Sequence, residues 1–417
     1  MPRVRALPSG GGGYNGRMSH PAGGAFRLSH FPPAVWATAF ATFVAFMGIG
    51  VVDPILPLIG RAMGATPSQV EWLFTSYIAV MALAMLVSGV LATRLGGKRT
   101  LLAGLGIVVV FATLSGLSPN IGVLALVRGG WGFGNALFTS TALSIIVGLS
   151  LGGMGSAITL YEAALGLGIA SGPLIGGWLG SHLWRYPFFG TATLMAIAFV
   201  ATAALVREPP RREQPRTARD IFQALRNRPV VTNALIGLCY SYAFFTILAY
   251  SPLTLKTLTP LQLGFTYFFW GILVAVSSVV IVNYLLQHWS PIRILTVDLA
   301  CLMLLFIAAG LVHGSGLLYA VVASGLFCGI ANALFTTLAM EVSPFSRSIS
   351  SGTYNFLRWA GAAIAPVMSG VIDQAFGPRI PFFVGSLMLL VGTLALFRWG
   401  ALLETALAQN GPVQTGG

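Results

Sequence analysis

Twelve runs of mostly apolar residues, each close to the length a helix needs to cross a bilayer, constrain this chain more than any other feature. A spanning α-helix needs about 20 such residues, because it rises about 1.5 Å per residue through some 30 Å of hydrocarbon. Six runs fall in the first half, at 34–58, 71–92, 100–118, 121–147, 155–181 and 187–206. Six more follow at 230–254, 262–286, 294–312, 316–340, 350–373 and 380–402. Backbone groups in hydrocarbon have no water to bond, so each run must satisfy its own hydrogen bonds as a helix. The pattern predicts an all-α membrane protein with twelve transmembrane helices. Composition excludes a water-soluble fold: 56% of residues are hydrophobic and 8% charged, against about 25% charged in soluble domains.

What lies between the runs sets the organisation. Residues 1–33, rich in Gly, Pro, Ser and Arg, lack an apolar signal-peptide core and are expected to form a disordered cytoplasmic tail. Residues 34–206 form a first six-helix bundle, 207–229 an arginine-rich cytoplasmic linker, 230–402 a second six-helix bundle and 403–417 a cytoplasmic tail. The formal charge is +13, but the basic residues sit between apolar runs instead of on one soluble face, which argues against nucleic acid and for anionic lipid. With both termini cytoplasmic, 17 Lys and Arg fall inside, four outside (Arg61, Arg185, Lys256, Arg379) and two within helices (Arg128, Arg358). The positive-inside rule then predicts a multi-pass protein of the cell (inner) membrane with both ends in the cytoplasm. Cys239, Cys301 and Cys328 all lie in apolar runs without metal-ligand spacing, so they are expected to be packing residues.

The second half repeats the first. GFGNALFTSTAL (132–143) matches GIANALFTTLAM (329–340) at an offset of 197. YEAALGLGIASGPLIGGWL (161–179) aligns with YNFLRWAGAAIAPVMSGVI (354–372) at 193, and YPFFG (186–190) with IPFFVG (380–385) at 194. Three matches in one order predict two pseudo-symmetric six-helix bundles related by an axis along the membrane normal. Such bundles, facing each other across a central cavity, suit alternating access.

Four motifs make the chain resemble the major facilitator superfamily, from its first apolar run to its last. GVLATRLGGKR (89–99) is similar to the superfamily's loop motif, with Gly89, Arg94, Gly96, Lys98 and Arg99 as the gate-loop residues. LALVRGGWGFGNA (124–136) resembles its helix 4 motif, which carries Arg128. GLGIASGPLIGGWLG (166–180) resembles the helix 5 antiporter motif that marks exporters, through Gly168, Gly172, Pro173, Gly176, Gly177 and Gly180. GIGVVDPILPLI (48–59) resembles the helix 1 Asp motif of drug:proton antiporters. The chain departs from the pattern twice: Thr93 stands where the loop motif has an acid, and Trp131 where the helix 4 motif commonly has Gln. The resemblance implies the twelve-helix multidrug efflux branch and a tight helix 5 contact that helps seal the outer gate.

Three acids fall clearly inside the runs: Asp53, Glu162 and Asp298. Charged groups in a membrane usually face a cavity, pair or titrate. At about 1.5 Å per residue, Asp53 and Arg128 lie at similar depths, roughly 8 and 10 Å below the outer surface, so an Asp53–Arg128 pair is expected. Outward opening would weaken that pair and let Asp53 take a proton. Glu162, about 10 Å from the cytoplasmic end of its helix, aligns with Asn355 in the repeat. Arg358, about one turn deeper, is its expected partner across the cavity, so Asp53 and Glu162 are the proton-coupling candidates and Arg128 and Arg358 their charge partners. Asp298 is expected to snorkel or to pair with Arg293.

The substrate cavity is expected to be lined from the first half by Phe46, Trp131, Asn135 and Phe138. The second half would add Tyr240, Phe244, Phe245 and Trp270, then Asn332, Phe335, Asn355 and Trp359. These apolar walls with few polar groups suit hydrophobic or amphiphilic molecules. The predicted function is a proton-coupled antiporter that exports such compounds by alternating access. Export of one endogenous metabolite, or ligand sensing without transport, are the alternatives. The expected partners are a small-molecule substrate, protons and membrane lipid, with no cofactor or metal, and the chain is expected to act as a monomer. No clustered nucleophile–base set supports an intramembrane enzyme, and no GxxxxGK[ST] loop supports an ATP-driven pump.

Overall fold

The computed structural model describes residues 31–150, 153–208, 223–255, 257–312, 314–344 and 347–410. They form twelve long helices without a strand. Helix 1 is Pro33–Met63, helix 7 Arg228–Thr254 and helix 8 Pro260–Leu286. Helix 2 is Pro67–Leu95, helix 3 Gly97–Leu117, helix 4 Ile121–Leu149, helix 5 Gly153–Gly180 and helix 6 Tyr186–Leu205. Helix 9 is Pro291–Leu311, helix 10 Ser315–Glu341, helix 11 Arg347–Phe376 and helix 12 Ile380–Asn410. Among the described residues, ten helical spans are long and apolar enough to cross a membrane. Helices 2 and 11 pack on each other across the molecule. The 1–30 tail, the 209–222 part of the linker and the last residues from 411 lie outside the described residues.

Several helix ends differ from the apolar runs. Helix 2 opens at Pro67, ahead of the expected residue 71, because Thr66 and Gln69 form a reciprocal capping box (Thr66 N–H to Gln69 Oε1, 2.9 Å). Helix 8 opens the same way at Thr259 and Gln262. Helix 1 continues past residue 58 to Met63, so Arg61, expected in an outer loop, lies in its last turn. Helix 12 continues past residue 402 to Asn410, where a tail was expected.

Helices 2–4, 1–5 and 3–6 pack together in the first half, and 7–11, 9–12, 8–10 and 7–12 in the second. The halves meet along two long seams, helix 2 against helix 11 and helix 5 against helix 8. We call the side with the 63–67, 180–186 and 254–260 turns the far face and the opposite side the terminal face. At the far face the seams are tight. A Cβ placed on Gly264 of helix 8 would lie 2.7 Å from the Pro173 carbonyl oxygen of helix 5. One on Gly370 of helix 11 would lie 2.7 Å from the Cα of Ser68 on helix 2. Thr75 Oγ1 donates to the Ala363 carbonyl across the 2–11 seam at 2.7 Å.

Candidate functional site

Asp53 owes its place to two prolines. Pro54 and Pro57 disfavour a continuous α-helix, and helix 1 gives way to a short 3-10 turn, Asp53–Ile55, before resuming. Asp53 opens that turn wholly buried, and neither carboxylate oxygen has a hydrogen-bond partner among the described residues. Arg128 on helix 4 is also wholly buried and is electrostatically coupled to Asp53. The expected direct pair is not made, however. Arg128 Nε donates to the Leu73 carbonyl at 3.2 Å, and Nη1 and Nη2 have no hydrogen-bond partner among the described residues. Its guanidinium instead sits among rings, 4.8 Å from the centroid of Tyr77, 4.9 Å from Trp131 and 5.9 Å from Phe74. Trp131, the departure from the helix 4 motif, thus builds one wall of an aromatic cage that holds the arginine by cation–π attraction.

The side chain of Glu162 lies outside the described residues, and so does its expected contact with Arg358. Arg358 Nη2 donates to Asn332 Oδ1 of helix 10, and its guanidinium lies 5.7 Å from the Trp359 ring. The repeat-related Asn135 donates through Nδ2 to the Tyr77 hydroxyl. Each asparagine therefore ties its helix to a neighbour in the same half. Asn355 is half-buried, one turn before Arg358.

The expected cavity residues divide by half. In the second, ring contacts run continuously: Phe335 stacks on Tyr240 at 5.4 Å, Tyr240 meets Phe244 at 5.9 Å and Phe244 meets Trp270 at 5.2 Å. Phe245 then links Phe244 to Trp359. Polar tips are satisfied, Tyr240 donating to the Cys328 carbonyl at 2.7 Å and Trp270 to Ser324 Oγ at 3.1 Å. Just beyond the cluster, helix 7 forms a π-helical segment, Thr246–Tyr250, and the Tyr267 hydroxyl bonds its Ile247 carbonyl. In the first half, Phe46 meets Tyr161 edge to face at 6.5 Å. Trp131 packs against Tyr77, Phe188 and Gly48, all of the first half, and Phe138 is wholly buried.

The glycine motif on helix 5 has two faces. Gly168, Gly172 and Gly176 bring it against the helix 1 backbone at Phe43, Met47 and Val51, and Gly180 meets Ile55. Gly177 faces helix 8 instead, at Pro260 and Gly264, and Pro173 bridges the two, its ring against Gly50 of helix 1 and its carbonyl oxygen toward Gly264. In the gate loop, Gly96 turns the chain between helices 2 and 3 with φ +97°, which only glycine adopts readily. Lys98 Nζ donates to the Ala203 carbonyl at 3.0 Å, Arg94 and Arg99 are exposed, and the surroundings of Gly89 and Thr93 lie outside the described residues.

Asp298 corrects the expectation of an ion pair with Arg293. It is buried in the second half, within electrostatic reach of Tyr240 and Cys328, and neither oxygen has a hydrogen-bond partner among the described residues. Arg293 turns away to lie 5.3 Å from the Trp289 ring. Two acids were missed altogether. Glu208, after helix 6, accepts from the Lys98 N–H at 3.1 and 3.2 Å and so places an anion at the N-terminus of helix 3. Glu71, assigned to the edge of a run, is wholly buried inside helix 2; the T-P-x-Q cap that opens that helix was the signal for it.

The sequence matches the family described as Major Facilitator Superfamily over residues 38–366. It is 42% identical over 367 residues to "Multidrug efflux protein YfmO" of Bacillus subtilis (strain 168), covering 88% of this chain and 92% of that one. It is 22% identical over 375 residues to "Multidrug resistance protein 1" of the same strain, covering 86% and 94%. Among solved structures, a D-xylose-proton symporter superposes with a TM-score of 0.75 at 11% identity, covering 88% of this chain and 97% of that one. An inward-facing, unoccupied bacterial homologue of the human lysosomal transporter Spinster superposes at 0.74 and 16%, covering 90% and 97%.

Proposed function

The chain belongs to the Major Facilitator Superfamily, and on that premise we propose that it is a proton-coupled antiporter exporting small hydrophobic or amphiphilic compounds. It is a multi-pass membrane protein, and the bias of Lys and Arg toward the terminal face supports a cytoplasmic location for both ends. The substrate class is supported by the name and coverage of the 42% identical efflux relative. Coupling to protons is supported above all by Asp53, a carboxyl buried at a helix break without a hydrogen-bond partner among the described residues. Ionised, it would pull on the caged Arg128; protonated, it would leave the guanidinium to its rings. A change of proton state thus alters the packing of helices 1, 2 and 4, and a proton can bias the conformation only through such a difference.

The substrate site we assign is the aromatic cluster of the second half, with the Arg358–Asn332 hydrogen bond at its edge. These rings now fill the space against one another, so an apolar ligand would replace ring–ring contacts with ring–ligand ones. Drug-triggered proton movement in proteoliposomes tests the proposal, comparing wild type with Asp53→Asn and Glu162→Gln under an imposed pH gradient. Flux in wild type that is lost in Asp53→Asn is the expected result. No flux with any apolar cation or neutral drug would refute it and favour export of a single metabolite.

A further inference from the structure

Glu71 is a buried acid to which the mechanism above gives no task. It projects from helix 2 into the seam with helix 11, wholly buried, and neither carboxylate oxygen has a hydrogen-bond partner among the described residues. The seam is built to admit it. A Cβ on Gly370 would lie 3.2 Å from Glu71 Cγ, so the glycine clears the space the acid occupies. Asp373 stands one turn further along the same face of helix 11 and acts on Glu71 electrostatically. Four residues deeper on helix 2, Thr75 makes its hydrogen bond to Ala363 across the same seam.

We propose that Glu71 and Asp373 form a second proton-binding site, shared between the two halves, whose proton latches the far face shut. The ionisable groups around it come from five helices. They are Asp53 of helix 1, with Arg128 of helix 4 acting on it, Tyr250 of helix 7, Tyr267 of helix 8 and Asp373 itself. The charged groups acting on Glu71 and Asp53 thus include one cation, and that cation is held by the rings of its cage. Two carboxylates at one seam, Glu71 wholly buried and Asp373 half-buried, repel each other when both are ionised. One proton on Glu71 removes that repulsion. Tyr250 of helix 7, on which both acids act electrostatically, donates to the Pro378 carbonyl at 3.0 Å just past helix 11. Opening the far face parts Glu71 from Asp373 and lets water reach the buried acid, so the proton leaves to the far side. Its return favours closure, the order an antiporter requires after releasing substrate outward.

The latch rests on the proton-coupled reading for its role in transport, but its conformational effect is measured without substrate. Spin labels on Ala62→Cys and Phe376→Cys, both exposed at the far face, report the distance between halves in the full chain, reconstituted in nanodiscs from pH 5 to 9. The wild-type far face is expected to open with rising pH, with at least about a tenfold change in the open-to-closed ratio, a typical size for coupling between sites. Glu71→Gln, a neutral mimic of the protonated acid, should stay closed throughout, with less than about a twofold change on that scale. Asp373→Asn perturbs the site from the other half and should reduce the pH response similarly, which keeps the test decisive should one variant misfold. Retention of the wild-type pH response in either folded variant overturns the latch. A pH-dependent seam in a protein without drug-driven proton flux would leave the latch standing and overturn antiport instead.

Discussion

The seal between helices 5 and 8 predicts its own failure at one glycine. Gly264→Ala places a methyl 2.7 Å from the Pro173 carbonyl oxygen, 3.3 Å from Leu174 Cα and 3.4 Å from Gly177 Cα. All three neighbours are backbone, so no side chain can swing aside, and the helices must separate by several tenths of an ångström. Overpacking of this kind costs about 1–3 kcal/mol. The cost falls only on the conformation in which the seam is closed, because parting the halves removes the clash. At about 1.4 kcal/mol per factor of ten, it shifts the closed-to-open ratio roughly 5- to 150-fold toward open. Double electron–electron resonance between labels on His182→Cys and Thr257→Cys, exposed at the far ends of helices 5 and 8, would show a longer-distance population gaining weight. Gly166→Ala is the matched control, since a methyl there meets nothing within 4 Å. Identical distance distributions for Gly264→Ala and Gly166→Ala would refute the assignment of this contact to the gate.

The Arg128 cage makes Trp131→Ala costly, by about 3–5 kcal/mol as for other large buried aromatics, whereas Trp131→Phe retains a ring beside the guanidinium. Thermal unfolding of the purified variants separates the two, and equal losses would exclude the cage. Tyr240→Phe removes the 2.7 Å bond to the Cys328 carbonyl while keeping the ring stack on Phe335, so it should cost about 0.5–1.5 kcal/mol of stability. In ligand titrations it should leave apolar substrate affinity within about twofold on the same reasoning. Glu208→Gln removes the anion at the start of helix 3, and hydrogen exchange at the Lys98 amide should quicken while exchange at the middle of the helix is unchanged.

The twelve helices were legible because run length in a membrane is set by bilayer thickness, and the repeat was legible because three motifs kept their spacing. Helix ends were less so, since they depend on caps that carry no hydropathy. TPSQ at 66–69 and TPLQ at 259–262 stand at the repeat offset of 193, and reading them as capping boxes starts helix 2 at Pro67, which puts Glu71 inside the helix and not at its edge. The terminal-face end of helix 12 is held by a contact no pattern reveals, Ser290 Oγ donating to Glu404 at 3.3 Å. Depth alone brought Asp53 and Arg128 together correctly to within electrostatic reach. Which way the guanidinium turned depended on Tyr77 and Trp131, whose rings offered it a surface from another helix and from its own. The Arg293–Asp298 pairing failed on helical phase: five residues apart, the two side chains point to different faces, and Arg293 finds Trp289, four residues back, instead.

Helices 5 and 11 explain how a change at one acid can move a whole half. Helix 5 presents Gly168, Gly172, Gly176 and the Pro173 ring to helix 1 of its own half, and Gly177 with the Pro173 carbonyl to helix 8 of the other. Helix 11 does the same by symmetry, with Gly361 against the helix 7 backbone at Leu238, and Ala363 and Gly370 against helix 2. Opening the far face has to break only the second set of contacts. The first set, backbone against backbone with no side chain between, carries each helix along with its own bundle, so the halves rock as units. Because the halves touch through these seams, a proton can alter the balance between open and closed only where it changes the energy of a seam contact. Asp53 lies behind the 5–8 seam at the break of helix 1, which also packs against helix 8, and Glu71 lies within the 2–11 seam. The buried acids of the first half therefore stand beside the surfaces that separate, while the aromatic cluster occupies the interior of the half that moves away.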